Sequence, residues 1–399
     1  MGEQPVRDWL ADYDAGAITI ATAASHSSLQ IFHGAKKLGF KTLALARGDR
    51  DLRYYDAFPE AKPDEIWRFD DWSELLDRAD DLRARNAIII PHGSLIEYMG
   101  TQAFEQVQVP VYGNRRVLQW ESDRDMERDW LEAAGVTMPR LVTRPEDIDE
   151  PVIVKYHGAK GGKGFFVAKT PGEYHRQIQK GEPHTIQEFV MGTRYYLHYF
   201  HSRLDDDGFQ VYKKGAHGAD APRADLTEAS LGQHKIPKTA AHGADAPRAD
   251  LTEASLGQLQ MLSIDRRDES NIDELNRIGS VNELKAAGID PTFVVTGNIP
   301  MVIRESLLPE VFRMGEGVVR ESYSRFGGLW GPFCLETIVT PDLEFKVFEI
   351  SARIVAGTNP FIGGSPYSEM IGPGLSTGVR IAQEIQKAAK TGQLHVICT

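Results

Sequence analysis

"VKYHGAKGGKGFFVAK", residues Val154–Lys169, sets four glycines and four lysines between two apolar stretches. A loop of this composition is built to hold phosphate, because glycine-freed backbone N–H groups and lysine ammonium groups both neutralise anionic oxygens. The two best-known phosphate loops do not fit it. A P-loop needs G-x-x-x-x-G-K-[ST], but Lys163 stands five residues after Gly158, and Gly164 is followed by Phe165. A dinucleotide G-x-G-x-x-G opened at Gly162 needs glycine where Val167 stands. A Gly/Lys loop joining two antiparallel strands can instead fold down over a triphosphate as a lid. Lys155 on the first strand would then reach the phosphates from the side.

Such a lid needs a floor that carries metal ions. "CLETIVTPDLEFKVFEISAR" (Cys334–Arg353) supplies one, with Glu336 and Glu349 thirteen residues apart on two strands joined by the turn "TPDLE". In an antiparallel pair the two carboxylates can point the same way and hold Mg²⁺ between phosphates. Either glutamate alone would read as a solvated strand residue; the pair together with a lid is harder to explain that way.

The rest of the chain bounds the class. Its 399 residues suffice for two or three domains, and 41% hydrophobic with 26% charged residues is the composition of a soluble globular protein. The net charge of −12 argues against a general nucleic-acid binder. Cys334 and Cys398 make neither a disulfide framework nor a zinc site. The first residues, "MGEQPVRDWLADYDAG", have no apolar core of a signal peptide, and no apolar run approaches a membrane span. The expectation is a cytoplasmic protein with no nucleic-acid or membrane partner.

From the N-terminus, "AITIATAA" (Ala17–Ala24) reads as a buried strand, "SHSSLQIFHGAKKLGF" as a helix and "KTLALA" as a second strand. A charged helix around "DDWSELLDRADDLRARN" leads to a third strand, "AIIIPHGS". Strands alternating with helices mean a parallel sheet whose ligands gather at the strands' C-terminal ends. Those ends carry "SHSS" (Ser25–Ser28) and "PHGS" (Pro91–Ser94), which suit phosphate or carboxylate; ordinary N-capping explains either turn alone equally well. The helix in "ESDRDMERDWLEAAGVTMPR" (Glu121–Arg140) stops at Gly135 and Pro139, announcing a new unit. After the lid come a helix near Tyr174–Lys180, the strand "HTIQEFVMG" (His184–Gly192) and the aromatic strand "RYYLHYFHS". Helices near Val311–Tyr323 and Gly378–Lys390 flank the glutamate pair. "AHGADAPRADLTEASLGQ" stands at Ala216–Gln233 and again, letter for letter, at Ala241–Gln258. Neither copy has the apolar residues of a core, so a disordered insertion between two strands is expected.

The lysine strand, glycine lid, "QEFVMG" hinge and "E…E-x-x-x-R" floor follow the order of the ATP-grasp superfamily, which the chain resembles. "ASHSSLQIFHGAKKLGF", "PHGSLIEYMG", "GNRRVLQWES", "DESNID", "TGNIPMVIRESLLP", "GPFCLETI" and "FEISARIVAGTN" narrow the resemblance to the archaeal PurP family. These are formate-dependent 5-formaminoimidazole-4-carboxamide ribonucleotide synthetases of purine (IMP) synthesis. The likeness covers nearly the whole chain except about Asp207–Gln258. It implies an α/β fold: an N-terminal Rossmann-like (pre-ATP-grasp) substrate domain over 1–118, followed by an ATP-grasp fold of two α+β subdomains. The lid subdomain would span 119–206, the insertion 207–258, and the subdomain with the metal floor 259–399.

The implied reaction is ATP-dependent formylation of 5-aminoimidazole-4-carboxamide ribonucleotide (AICAR) through formyl phosphate, releasing ADP and phosphate. ATP would meet Lys155, Gly161, Gly162, Lys163 and Gly164 at its phosphates, the backbone of Glu188, Phe189 and Val190 at adenine, and Glu269 nearby. His26, Ser27, Ser94, Asn298 and Arg304 would face AICAR and formate. His26, Lys155 and Arg353 would serve the chemistry, and Glu336 with Glu349 would hold Mg²⁺, or Mn²⁺ in its place. The family likeness also implies a homo-oligomer, a trimer or hexamer. Ser351 departs from the pattern, standing where many ATP-grasp enzymes have a metal-binding asparagine. A paralogue acting on another acid or amine, and a non-catalytic nucleotide-binding regulator, are the alternatives. Intact Lys155, Glu336 and Glu349 speak against the second.

Overall fold

The computed structural model describes residues 3–25, 27–49, 52–156, 164–204, 258–269 and 294–399. Both repeat copies, apart from Gln258, lie outside these residues, as do His26, Gly161, Gly162 and Lys163.

Strands β1 (Thr19–Ala23), β2 (Lys41–Arg47), β3 (Glu65–Phe69) and β4 (Ala87–Ile89) form a parallel sheet in the order β3-β2-β1-β4. β1 is buried along its whole length, as a central parallel strand covered on both faces must be. Sequence reading finds β1, β2 and β4 but not β3, "EIWRF". β3 is the sheet's edge, so Glu65 and Arg68 face solvent and pair with Arg85 and Asp49, and the apolar run that marks a buried strand is missing. The charged helix divides into two short ones, Glu74–Asp77 and Ala79–Arg83, broken at Arg78, whose guanidinium lies 4.3 Å over the Trp67 ring. The strand order reverses between β1 and β4, so a crevice opens beyond their C-terminal ends, where Ser25–Ser28 and Pro91–Ser94 stand.

The Gly/Lys loop leaves β5 (Val152–Tyr156) and returns into β6 (Phe165–Ala168), and β7 (His184–Glu188) completes an antiparallel sheet in the order β6-β5-β7. This sheet has its own small core of Val142, Ile148, Val152, Val154, Ala168, Tyr174 and Ile186.

A second antiparallel sheet, β10-β9-β8-β11-β12, is built from β8 (Thr193–Ser202), β9 (Gln258–Glu269), β10 (Val295–Met301), β11 (Gly331–Val339) and β12 (Phe345–Ser351). Two elements within the 119–206 span therefore join the floor instead of the lid. β8 is the middle strand of the five. The helix Arg124–Ala133 packs against the helix Leu308–Phe326 that covers this sheet, with Trp130 Nε1 donating to the Val318 carbonyl at 3.1 Å. Ser202 pairs with Gln258 across β8 and β9, so the 205–257 segment leaves and re-enters at neighbouring strand ends.

One face of the five-stranded sheet buries Leu197, Phe333 and Leu335 against Val311, Met314 and Val318 of the helix Leu308–Phe326. The same apolar core continues through Trp130 and Leu131 to Leu43, Leu45 and Ile89 of the first sheet. The helix Thr377–Lys390 adds a second weld by crossing Ser28–Lys37 at glycine on both sides. A Cβ on Gly34 would lie 2.2 Å from the Gly378 carbonyl carbon. First sheet and floor thus share a core, while the lid sheet keeps its own.

Candidate active site

The two serine turns are clipped together. Ser25 Oγ donates to Ser94 Oγ at 2.8 Å, and His92 Nε2 donates to the Ala23 carbonyl at 2.9 Å. Ser27 occupies the N-cap position of Ser28–Lys37, yet its backbone is helical and its side chain caps nothing. Its hydroxyl is fully buried and has no hydrogen-bond partner among the described residues, which ordinary capping would have supplied. Ser28 takes the local work, donating to the Ser25 carbonyl at 2.6 Å and sharing a 2.7 Å hydrogen bond with the Tyr55 hydroxyl.

On the face of the five-stranded sheet away from Leu308–Phe326, one cross-strand row reads Asp265, Tyr196, Glu336, Glu349. Glu336 and Glu349 are direct register partners, brought opposite each other by a register shift between Glu336 and Thr337, because the register of the turn alone would set Glu336 against Phe348. Glu336 is 6% exposed; the Arg267 guanidinium straddles both its oxygens at 3.4 Å, and Ser351 Oγ donates to it at 3.2 Å. Arg267 is itself stacked 3.6 Å over the Tyr196 ring. Ser351 therefore reaches a metal-ligand candidate through its hydroxyl.

Glu349 is exposed, with neighbouring protein close enough to the cleft for desolvation to act on its carboxyl. Burial raises its carboxyl first and the nearby Glu336 raises it further, while Lys155 and Arg267 pull it down. Lys155 comes from the lid strand β5 to within 5.7 Å of the Phe348 ring. Burial lowers its ammonium, and Glu349 counters the effect. The lysine of one sheet and the glutamates of the other thus face one cleft.

Arg353 joins this floor to the serine turns. Its Nη2 bonds Glu121 Oε1 at 2.7 Å, and a Cβ on Gly93 would stand 3.1 Å from its guanidinium, so the absent side chain at 93 makes room for it. The adjoining His92 and Ile354 form a parallel bridge. Among the described residues, Arg353 Nε is buried without a hydrogen-bond partner, as is Asn298 Oδ1 on β10, where Asn298 is register partner to Arg267. Glu269 ends β9 in a salt bridge with Arg194.

Other expected site residues lie elsewhere or are already engaged. Arg304 is exposed in the turn before Leu308–Phe326, and its side chain makes no hydrogen bond or ion pair with the described residues. At the hinge, the Glu188 amide donates to the Arg140 carbonyl at 2.8 Å and the Phe189 amide to the Pro151 carbonyl at 2.9 Å. Both are spent within the protein. The Glu188 carboxylate takes Lys346 Nζ at 2.6 and 2.7 Å. Gly164, with φ +75°, ends the described edge of the Gly/Lys loop, and its carbonyl accepts from the Tyr156 amide.

Sequence reasoning missed Glu121, Glu127, Arg267 and Lys346. Glu127 Oε1 accepts the Ile350 amide at 2.7 Å, and Glu121 Oε2 the Ala352 amide at 2.9 Å. Burial raises both carboxyls; Glu349 pushes that of Glu127 up further, while Arg353 pulls that of Glu121 down. In the sequence these two look like any acidic residues of a charged helical stretch. Arg267 does alternate correctly with Asp265 and Glu269 along a strand, which was the one available signal.

No helix among the described residues is long and apolar enough to cross a membrane. Residues 20–142 match a family described as "Protein of unknown function (DUF1246)", and residues 251–399 one described as "Domain of unknown function (DUF1297)". A protein of Methanothrix thermoacetophila named "5-formaminoimidazole-4-carboxamide-1-(beta)-D-ribofuranosyl 5'-monophosphate synthetase" is 54% identical over 394 residues, 99% of this chain and 98% of its own. The crystal structure of an IMP biosynthesis protein PurP from Thermococcus kodakaraensis superposes with a TM-score of 0.65 at 26% identity, covering 95% of this chain and 100% of that one. An N5-carboxyaminoimidazole synthetase from Staphylococcus aureus complexed with ADP shares the fold at a TM-score of 0.58 and 13% identity, over 95% of this chain and 78% of that one.

Proposed function

The chain belongs to the family of 5-formaminoimidazole-4-carboxamide ribonucleotide synthetases, and we propose from this that it formylates AICAR with formate and ATP. The observation that carries the reading is the register pair Glu336–Glu349 facing Lys155 across one cleft, with the serine turns docked beside it through Arg353.

Formate is a poor electrophile, so a carboxylate oxygen first attacks the γ-phosphorus of ATP and ADP leaves. The 5-amino nitrogen of AICAR then attacks the formyl carbon, loses a proton, and phosphate departs. The residues fit nucleotide and metal. Two opposed carboxylates suit divalent cations, and Ser27 Oγ and Asn298 Oδ1, buried with no partner among the described residues, are polar atoms that a ligand would satisfy. Glu336 and Glu349 would hold Mg²⁺, which supplies charge neutralisation to the phosphates. Lys155 adds a cation from the lid side, and Arg353 adds one where the floor meets the serine turns. Ser27 and Ser94 would receive the ribotide or formate. His26, Lys163, Gly161 and Gly162 keep the roles that the family resemblance implies, outside the described residues. At the adenine hinge, the Glu188 and Phe189 amides are occupied, so the base would be met by other backbone groups of the segment, such as those of Val190.

The test is an ADP-release assay with formate and AICAR supplied separately and together. Release that needs both and matches formylated product one for one supports the reading. Release indifferent to formate and AICAR, or none at all, sinks it.

A further inference from the structure

β12 is the outer strand of its sheet, so alternate N–H groups along it have no neighbouring strand to meet. Two of them, and that of the first residue past the strand's end, are nonetheless satisfied in succession. Val347 donates to the Thr137 carbonyl at 2.8 Å, Ile350 to Glu127 Oε1 at 2.7 Å and Ala352 to Glu121 Oε2 at 2.9 Å. The other oxygen of Glu121 receives Arg353 Nη2. Two side chains from the helices Val117–Ser122 and Arg124–Ala133 stand in for a missing strand.

Their position along β12 is specific. Glu336 faces Glu349, but the next pair is Thr337 with Val347, so Phe348 is an extra residue and the ladder is bulged immediately beside Glu349. A bulge bends its strand and re-aims the neighbouring side chain, and the inner ladder alone then leaves Glu349 poorly fixed. The outer bonds at Val347 and Ile350 bracket it. The bond at Ala352 and the ion pair at Arg353 fix the next functional side chain in the same way.

The choice of glutamate is also informative. Carboxylates form shorter, stronger bonds to N–H donors, and at Glu121 a second oxygen holds a guanidinium. We propose that Glu121 and Glu127 are positioning residues that clamp the outer edge of β12 and so aim Glu349 and Arg353 at the reacting phosphates. This rests on the reading of Glu349 as a metal ligand, and it adds two residues that lie outside the lid and the floor strands.

The test uses the full chain with ADP and Mn²⁺, following free Mn²⁺ by its electron paramagnetic resonance signal alongside steady-state rates. Glu127→Ala is expected to weaken Mn²⁺ binding in the ADP complex by about 10–100-fold and to lower kcat similarly, with KM for AICAR within about twofold. Glu127→Gln, which keeps an acceptor for the Ile350 amide, should recover most of both losses. If the alanine variant fails to fold, Glu127→Asp takes its place, because it keeps the charge but withdraws the oxygen from Ile350; the same loss is expected. Wild-type Mn²⁺ affinity in a folded Glu127→Ala or Glu127→Asp variant, with affinity lost in Glu349→Gln, overturns the clamp and leaves the metal reading standing. Unchanged affinity in Glu349→Gln as well overturns both.

Discussion

Replacing Glu349 by glutamine is expected to abolish turnover and yet to stabilise the metal-free fold. Glu336 and Glu349 are direct partners on adjacent antiparallel strands, where facing Cα atoms are ~4.5–5.5 Å apart. Two carboxylates at ~5.5 Å repel by about 3 kcal/mol at an effective dielectric of ~20. Arg267 straddling Glu336 and Lys155 beside Glu349 offset most of this. Like charges directly opposed on a sheet typically cost about 0.2–1 kcal/mol, so a gain near 1 kcal/mol is the expected size. For a chain of this length that is roughly 1–3 °C in Tm. The sign depends on pH. The Glu349 carboxyl is raised in the folded state, so its contribution to stability is present below the unfolded carboxyl's pKa and is lost as pH rises through the folded value. The variant should therefore melt above wild type at alkaline pH in EDTA, and the difference should close toward about pH 4, near the pKa of an unperturbed glutamate. Turnover should fall about 10³-fold or more, since cation charge on the phosphates is worth several kcal/mol. Melting curves in EDTA across pH, with ADP release measured on the same preparations, decide it. Near-wild-type turnover, or a variant that melts below wild type at every pH, refutes the argument.

Gly378→Ala should destabilise the weld between first sheet and floor, because its Cβ would fall 2.1 Å from the Gln30 carbonyl oxygen, and two helix backbones cannot yield cheaply. A loss of about 1–3 kcal/mol is expected in chemical denaturation, and an unchanged midpoint would show that the helices can part. Lys346→Met removes the cation held by Glu188 at the lid hinge, and it should raise KM for ATP several-fold while leaving kcat within about threefold; equal KM values would reduce the pair to an inert surface contact. Excising residues 216–257 and rejoining the neighbouring ends of β8 and β9 should leave kcat and Tm almost unchanged, since each doubling of loop length costs only about 0.6 kcal/mol. Collapse of activity would mean that the repeats pack on the enzyme.

What the sequence disclosed, it disclosed through periodicity. Strand residues alternate in direction, so a strand–turn–strand pattern lets two glutamates share one face, although here the bulge at Phe348 is what brings Glu349 opposite Glu336. Lys155 was expected from its place on the strand before the glycines, and β5 carries it to the Phe348 ring of the floor. The reading failed where tertiary neighbours decide. At Ser27 the sequence left ligand contact and helix capping equally open, and only the folded backbone, helical one residue early, shows a hydroxyl that caps nothing and is buried with no hydrogen-bond partner among the described residues. β3 disappeared among charged residues because an edge strand shows half of itself to water.

The hinge and the brace share that cause but differ in consequence. Glu188 belongs to a segment whose backbone was expected to meet adenine, yet two of its amides and its carboxylate are committed to Arg140, Pro151 and Lys346. Lys346 lies on β12, three residues before Glu349, so the lid hinge is tied to the strand that carries the metal-ligand candidate. The outer edge of that strand is in turn held by Glu121 and Glu127, from helices whose core is continuous with the first sheet. The lid sheet buries its apolar residues in a separate core, so it can tilt without opening the large one. A lid that tilted about Glu188 would thus carry Lys155 toward or away from a Glu349 that stays in place. That division suits a reaction whose formyl phosphate must be shielded from water, because closure then requires one small sheet to move against a fixed floor.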